Sequence, residues 1–221
     1  FFVWISIYIL WHYIEFANKE EIKKIKLETL IKELELKTIK SQINPHFIFN
    51  ALNSIRALVD EDPKRSRQAI TELSNILRSS IHSDKVEVSS LEKELAIVKD
   101  YLALEYIRFA DRLKIVYEIE PSTLQNQLPP MMLQTLVENA IKHGLGKQPG
   151  DCTIKIVSKF EENKHVLKVM NTGLLQPAEN DGFGLQSTKE RLNILYQGEA
   201  VFELYQCEPN QVTAKLVIPI H

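Results

Sequence analysis

The chain has 221 residues and a formal net charge of −2, with 44% hydrophobic and 25% charged residues. Its length fits one large domain or two small ones, and the near-neutral charge gives no indication of nucleic acid as a direct partner. The two cysteines, Cys152 and Cys207, lie in strand-like runs without metal-ligand spacing. We therefore expect both to be reduced and buried, as in a cytosolic protein.

Residues 1–17 are almost entirely apolar and do not begin with methionine. A membrane-spanning helix needs about 20 apolar residues, so we expect a fragment that starts inside the last transmembrane helix. Trp4 and Trp11, with lysines from Lys19 onward, are typical of a membrane interface whose following segment is cytoplasmic. A buried core helix and a signal-peptide remnant are the alternatives.

Residues 18–43 are polar, contain no glycine or proline, and carry apolar residues at irregular helical spacings. This pattern predicts a helix that forms at best an imperfect coiled coil. The helix either carries a signal from the membrane or is a solvated linker, and we favour the signalling role because of the segments at its two ends.

The run 42–55 reads Gln-Ile-Asn-Pro-His-Phe-Ile-Phe-Asn-Ala-Leu-Asn-Ser-Ile and predicts a helix start. Asn44 can cap the free amide groups, and Pro45 has no amide proton to leave unpaired. Helical spacing places His46, Asn50 and Asn53 on one polar face. The alternative is that this histidine only caps or packs. The opposite face is apolar and comprises Phe47, Ala51, Ile55 and Leu58.

Two amphipathic helices are predicted in residues 44–84, one ending near Val59 and one from Pro63 to about Ser80. The acidic turn 60–62 separates them. Such a helix pair cannot bury its apolar faces alone, so a dimeric four-helix bundle is the economical arrangement.

A third helix is predicted from a capping box at Ser89 and Glu92 to about Phe109. Arg108 and Arg112 near its end either reach toward phosphates or have a structural role, and we favour the structural role.

Strands and helices are interleaved beyond residue 112, and hairpins dominate the end of the chain. This order predicts an α+β domain in which helices cover one face of a mixed sheet. The predicted strands are 113–119, 152–160, 165–171, 201–206 and 212–218, and the predicted helices are 131–142 and 185–196.

The run 42–55 resembles the phosphoacceptor motif of the LytS-like sensor histidine kinases, a bacterial two-component family. The resemblance implies that His46 accepts the γ-phosphoryl group of ATP and passes it to an aspartate of a response regulator, often one with a LytTR-type DNA-binding domain. It also implies a homodimer anchored in the bacterial cytoplasmic membrane. The implied parts are the end of a transmembrane helix (1–17), a signalling helix (18–43), dimerisation and phosphoacceptor helices (44–84) and an ATP-binding domain of the Bergerat fold (85–221).

The segment Glu138-Asn139-Ala140-Ile141-Lys142-His143 is similar to the N box of the same ATPase superfamily. The resemblance implies that Asn139 ligates Mg²⁺, which prefers oxygen ligands. It places Lys142 and His143 near the phosphates and gives Glu138 the role of polarising or positioning the reacting group. The alternative is an amphipathic surface helix.

Gly182-Phe183-Gly184-Leu185 at a predicted helix start lets backbone amides approach phosphate oxygens. With the residues that follow, it is similar to the second glycine box of the family. Gly173 would then bracket, together with these glycines, a short ATP lid over residues 174–181.

Two positions depart from the family pattern. Asn171 stands where an aspartate usually binds the adenine amino group, and loss of charge assistance there predicts roughly tenfold to thirtyfold weaker nucleotide binding. Thr213 would supply a second adenine contact. Phe47 stands where many other histidine kinases carry an acidic base, a role that Asn50 or Glu138 would partly replace by orienting the imidazole. Asn50 would also position water for phosphatase activity.

Two rival functions stay open at this point. A non-catalytic dimeric receptor would keep the fold with a degenerate nucleotide site, and Asn171 is the residue that favours it. An ATPase that uses closure of the fold mechanically would need no acceptor histidine.

Overall fold

The structure is a computed structural model that describes residues 44–82, 88–145, 150–175 and 183–220, with Trp4, Trp11, His12 and Glu15. The chain divides into two units, Phe1–Pro45 and His46–His221. The predicted membrane segment 1–17 and signalling helix 18–43 thus lie almost entirely outside the described residues. Within the part of the chain that is described, no helix is long and apolar enough to cross a membrane.

Five helices and seven strands give the described part of the chain a mixed α+β architecture, which confirms the predicted class. Each predicted strand and helix after residue 44 is present, with ends that differ by a few residues. The helices are α1 (Pro45–Glu61), α2 (Pro63–His82), α3 (Leu91–Phe109), α4 (Met132–Gly144) and α5 (Phe183–Tyr196). The strands are β1 (Ser89–Ser90), β2 (Leu113–Ile119), β3 (Gln127–Leu128), β4 (Cys152–Glu161), β5 (Lys164–Thr172), β6 (Val201–Glu208) and β7 (Gln211–Pro219).

The boundary between α1 and α2 follows from local chemistry. Pro63 at the first position of α2 has no amide proton, and the Asp62 carboxylate accepts a hydrogen bond from the Arg65 amide at 3.0 Å. Together these residues end one helix and cap the next, as the acidic turn in the sequence predicts.

The predicted apolar stripe of α1 is buried inside this chain. Phe47, Ala51 and Ile55 belong to the core, and the Phe47 ring lies 4.7 Å from the Tyr101 ring of α3. The expectation that a partner chain must cover this stripe is therefore wrong for these residues, because α3 supplies the missing surface. A different set of apolar side chains on α1 and α2 is exposed: Phe49, Leu52, Val59, Ile70 and Ile81.

The first turn of α3 differs from the predicted capping box by one residue. The cap is Ser90, whose hydroxyl accepts from the Lys93 amide at 3.5 Å. Ser89 instead pairs with Leu128 in the small β1–β3 sheet, so the helix and its first free amide groups begin one residue later.

The main sheet has the strand order β2-β4-β5-β7-β6, with β2 parallel to β4 and the other neighbours antiparallel. Burial alternates along β4, so that Cys152, Ile154 and Ile156 face the helices. The core of β5 and β7 is formed in the same way, and residues of α3 and α4 complete it. The prediction of helices on one face of a mixed sheet is confirmed.

The cysteines behave differently from each other. Cys152 is buried, as predicted, whereas Cys207 is exposed. The prediction for Cys207 fails because β6 is an edge strand, where only one neighbour covers the chain.

Candidate functional site

His46 lies in the first turn of α1 with its side chain exposed. The amide nitrogen of Asn50, one turn later, is 3.2 Å from the Nδ1 atom of His46. The neighbouring Phe47 is buried against α3. The structure thus brings together the predicted pair His46 and Asn50, and it fixes the backbone beneath an accessible imidazole.

The middle of α4 carries the next group of predicted residues. The amide nitrogen of Asn139 donates to the Thr135 carbonyl at 2.9 Å, which leaves the amide oxygen as the free acceptor of that side chain. Lys142 and His143 are exposed at the end of the helix. This segment therefore offers one neutral oxygen ligand next to a lysine and a histidine.

Glu138, on the same helix, is a half-buried carboxyl group. Gln134 donates a hydrogen bond to it at 2.7 Å. Burial raises the pKa of Glu138, and the bond from Gln134 opposes that rise. A carboxyl group whose pKa is raised can exchange a proton closer to neutral pH than an exposed one.

Glu105 belongs to a run, with Glu94, Tyr101, Arg108 and Phe109, that is similar to the family pattern, but the sequence did not predict that it neighbours Glu138. Glu105 is 5% exposed, and its Oε2 atom lies 4.0 Å from the Arg108 guanidinium. Burial raises the pKa of Glu105, Arg108 lowers it and the charge of Glu138 raises it. The signal in the sequence was weak, because a single glutamate in a helix usually faces solvent.

The end of α4 meets the end of β5 at close range. A Cβ atom at Gly173, which has φ of +147°, would lie 3.3 Å from the Asn171 amide nitrogen and 3.6 Å from the His143 carbonyl. A Cβ atom at Gly144 would lie 2.4 Å from the Cys152 sulfur. Asn171 itself is 5% exposed. The structure thus brings Asn171, Gly173 and the end of α4 together, as the sequence predicts.

Thr213 is not on the same side of the sheet as Asn171. The residue opposite Asn171 in the β5–β7 ladder is Val212, whereas Thr213 lies opposite Met170. Because neighbouring residues of a strand point to opposite faces, Thr213 and Asn171 are separated by the sheet. The Thr213 hydroxyl is buried and has no hydrogen-bond partner among the described residues.

The predicted glycine turn is only partly described. Gly182 and residues 176–181 of the expected lid lie outside the described residues. Gly184 and Leu185 lie in the first turn of α5. The Gln206 side chain of β6, which sequence reasoning missed, accepts from the Leu175 amide at 2.6 Å and donates to the Gly173 carbonyl at 3.3 Å.

Arg108 and Arg112 have structural partners, as we favoured from the sequence. The Arg112 guanidinium donates to the Gly150 carbonyl at 3.1 Å. The Arg108 guanidinium lies 4.6 Å from the centre of the Phe109 ring. Both side chains are thus held within the chain.

An exposed histidine at the start of a helix pair, followed by an α+β domain whose sheet end is lined by amide groups and glycines, is the arrangement of a histidine kinase. A profile of the family described as histidine kinase matches residues 34–113. The sensor protein LytS of Enterococcus faecalis is 30% identical over 220 residues, which is 93% of this chain and 37% of that protein. LytS of Staphylococcus haemolyticus is 37% identical over 159 residues, which is 72% of this chain and 27% of that protein. By sequence, the chain is a relative of the LytS-type sensor histidine kinases.

The match extends beyond proteins of that name. The sensor histidine kinase BtsS of Escherichia coli is 34% identical over 188 residues, which is 84% of this chain and 33% of that protein. Among solved structures, the catalytic domain of histidine kinase ThkA has a TM-score of 0.48 and 18% identity over 60% of this chain and 93% of that chain. The chain spans about a third of the length of the curated relatives named here.

Proposed function

We propose that this chain is the kinase part of a membrane-anchored sensor protein that transfers the γ-phosphoryl group of ATP to His46. The phosphoryl group then passes to an aspartate of a response regulator. The single observation that carries the proposal is the placement of His46, exposed at the start of α1 while Phe47 packs on α3. The phosphoacceptor helix and the α4 segment that would bind nucleotide are thus built on one continuous core.

The end of the sheet fits the adenine part of a nucleotide. Asn171 is buried there and can accept a hydrogen bond through its amide oxygen, and the absence of a Cβ atom at Gly173 leaves room beside it. We assign these two residues to adenine binding within a Bergerat fold. Thr213 is a weaker candidate than the sequence suggested, because its strand position turns it to the other face.

The α4 segment fits a magnesium–phosphate group. We assign the Asn139 oxygen as a Mg²⁺ ligand, with Lys142 and His143 beside the phosphates. Magnesium commonly takes few protein ligands and completes its shell with phosphate oxygens and water, so a single amide oxygen is a sufficient contribution. When bound, Mg²⁺ neutralises charge that develops on the transferred group. We assign the backbone amides of Gly182, Gly184 and Leu185 to phosphate binding at the start of α5.

His46 supplies the lone pair of a ring nitrogen to phosphorus, while the bond from phosphorus to the bridging oxygen of the departing ADP breaks. The Asn50 amide nitrogen lies 3.2 Å from Nδ1 and 3.4 Å from Nε2 of His46, so Asn50 would orient the imidazole by donating to its unprotonated nitrogen. Glu138 would orient the reacting group, and burial, which raises its pKa, makes its carboxyl group a better proton acceptor than an exposed one. Asn50 would also place water for hydrolysis of the phosphohistidine.

We assign the exposed apolar residues of α1 and α2 to the contact between two copies of the chain. Phe49, Leu52 and Val59 recur at helical spacing along one side of α1, and Ile70 and Ile81 are exposed on α2. A homodimer would cover them, which supports dimerisation within residues 44–84. We keep residues 1–17 as a membrane segment and 18–43 as a signalling helix, with 85–221 as the ATP-binding domain and a LytTR-type regulator as the partner.

The test is transfer of label from γ-labelled ATP with Mg²⁺ to the intact chain, to its His46→Ala variant and to Asn53→Ala as a control. Asn53 is exposed on the same helix, so its replacement changes α1 equally without removing the imidazole. We expect acid-labile, alkali-stable label in the wild type and the control, and none in His46→Ala. Label that persists in His46→Ala would identify another acceptor. Bound nucleotide without label would support a non-catalytic receptor.

A further inference from the structure

Helix α4 begins without a cap of its own. Its first flanking residue, Met131, has a left-handed backbone with φ of 60° and ψ of 11°, and its side chain makes no capping hydrogen bond. A left-handed conformation is unfavourable for a residue with a Cβ atom, and uncapped amides at a helix start cost free energy when buried. The Met132 amide is paired locally, with the Pro129 carbonyl at 3.2 Å, whereas the Met131 amide and the Pro130 carbonyl are held by other helices.

The first contact comes from α3. The Oε1 atom of Glu94 accepts a hydrogen bond from the Met131 amide at 3.0 Å. Glu94 is 7% exposed, and its Oε2 atom has no hydrogen-bond partner among the described residues. A side-chain oxygen that accepts from a free amide at a helix start is a cap, so Glu94 caps α4 from another helix.

The second contact comes from α5. The guanidinium of Arg191 donates a hydrogen bond to the Pro130 carbonyl at 2.9 Å. That carbonyl and the Met131 amide belong to one peptide group, so a carboxyl oxygen holds one edge of the peptide plane and a guanidinium holds the other. Burial raises the pKa of Glu94 to about 7, and the hydrogen bond from the Met131 amide opposes this rise more strongly than the charge of Arg191 does.

We propose that Glu94 and Arg191 are positioning residues that lock the Pro130–Met131 peptide plane and thereby set where α4 presents Asn139 to the nucleotide. The proposal rests on the nucleotide binding proposed above. A rotated peptide plane would break both hydrogen bonds at once and release Met131 from its left-handed conformation. These two hydrogen bonds form a lock on the Pro130–Met131 peptide. Arg191 lies on α5, which also carries Gly184, so the lock connects both helices of the proposed nucleotide site to α3.

The test compares Mg-ATP affinity of the intact wild-type chain with that of Glu94→Ala, Glu94→Gln and Arg191→Ala. Glu92→Ala is the matched control, because Glu92 is exposed on the same helix and contacts Gln125 instead. We expect about tenfold weaker nucleotide binding in Glu94→Ala and Arg191→Ala, and a change of at most about twofold to threefold in Glu94→Gln, which keeps an oxygen for the Met131 amide. The double variant should bind no more weakly than either single variant, because one loss already frees the peptide plane.

A rescue variant separates positioning from general stability. Glycine adopts the left-handed conformation without a Cβ penalty, so Met131→Gly in the Glu94→Ala background should recover at least half of the lost affinity on a logarithmic scale. Failure of this rescue, or Glu94→Gln as weak as Glu94→Ala, would overturn the proposal.

Amide hydrogen exchange at Met131 tests the lock without nucleotide. We expect faster exchange in Glu94→Ala and Arg191→Ala than in Glu92→Ala, and unchanged exchange in both would overturn the proposal. If the wild type bound no nucleotide, the proposed function would fail, while this exchange experiment would still decide whether the lock exists.

Discussion

Two buried polar side chains on the same face of β5 have opposite surroundings. His165 is fully buried, and both ring nitrogens have partners at 2.7 Å, the Asn126 amide at Nδ1 and the Ser158 hydroxyl at Nε2. Ser158 in turn donates to the Thr123 hydroxyl at 2.7 Å. Because the Ser158 hydroxyl donates to Thr123, it accepts from the Nε2–H group of His165, while Nδ1 accepts from the Asn126 amide. The imidazole therefore carries one proton, is neutral, and has a partner at each nitrogen.

Asn171 lies at the other end of the same strand and is almost as buried. Among the described residues, its amide nitrogen donates to the carbonyl of its sequence neighbour, Thr172, at 3.0 Å. Two glycines, Gly144 and Gly173, stand beside it instead of side chains. The comparison teaches that a buried polar group paired within the chain stabilises the fold, whereas one that faces glycines is placed for a ligand.

The largest expected effect is acid destabilisation through His165. Burial lowers the pKa of His165 to about 4, whereas the unfolded chain binds this proton near pH 6.5, so its contribution is complete above 6.5 and is lost as pH falls toward 4. The loss amounts to about 3 kcal/mol of the free energy of unfolding. Urea unfolding at a series of pH values would measure it.

The control for that experiment is His165→Gln, which cannot titrate. Glu94 acts with the opposite sign, since its raised pKa of about 7 gives stability that is lost as pH rises from about 4.5 to 7. The difference between wild type and His165→Gln therefore isolates the imidazole. A difference that is constant with pH would contradict the assignment.

Two glycines, Gly173 and Gly150, test whether the region beside Asn171 binds a ligand. Gly173 and Gly150 have similar backbone angles, with φ of +147° and +135°, but a Cβ atom at Gly150 would have no neighbour within 4 Å. Alanine at either position should cost about 1–2 kcal/mol of stability through backbone strain. Only Gly173→Ala should also weaken Mg-ATP binding, by about tenfold or more, in a calorimetric titration. Equal affinities would place the nucleotide elsewhere.

Adding a negative charge at position 171 and at position 126 compares the two ends of β5. Asn171→Asp should tighten Mg-ATP binding about tenfold, because a carboxylate accepts a stronger hydrogen bond than an amide. The same change beside His165, Asn126→Asp, should alter the free energy of unfolding and leave the Mg-ATP affinity unchanged. Tighter binding in both variants would show that the gain comes from net charge and not from a contact.

The smallest effect is expected at Thr213. Its hydroxyl is buried without a partner in the described part of the chain and lies on the sheet face away from Asn171. Thr213→Val should therefore keep nucleotide affinity within about twofold and leave stability equal or slightly higher. A loss of affinity above about fivefold would return Thr213 to the adenine site.

The sequence by itself determined the local features of this protein. Helix starts such as Asn44–Pro45 depend on neighbouring residues, and the spacing of apolar side chains determined which residues share a face. For this reason the elements after residue 44 and the grouping of Asn139 with Lys142 and His143 were predictable. The family resemblance was likewise carried by short runs of adjacent residues.

Only the tertiary structure decided how these faces meet. Strand register put Val212, and not Thr213, opposite Asn171, and packing gave Phe47 a partner on α3 within the same chain. The lock on α4 joins residues 37 and 61 positions apart in the sequence. Local periodicity fixes the direction of a side chain relative to its own helix or strand, but the partner across an interface depends on long-range packing.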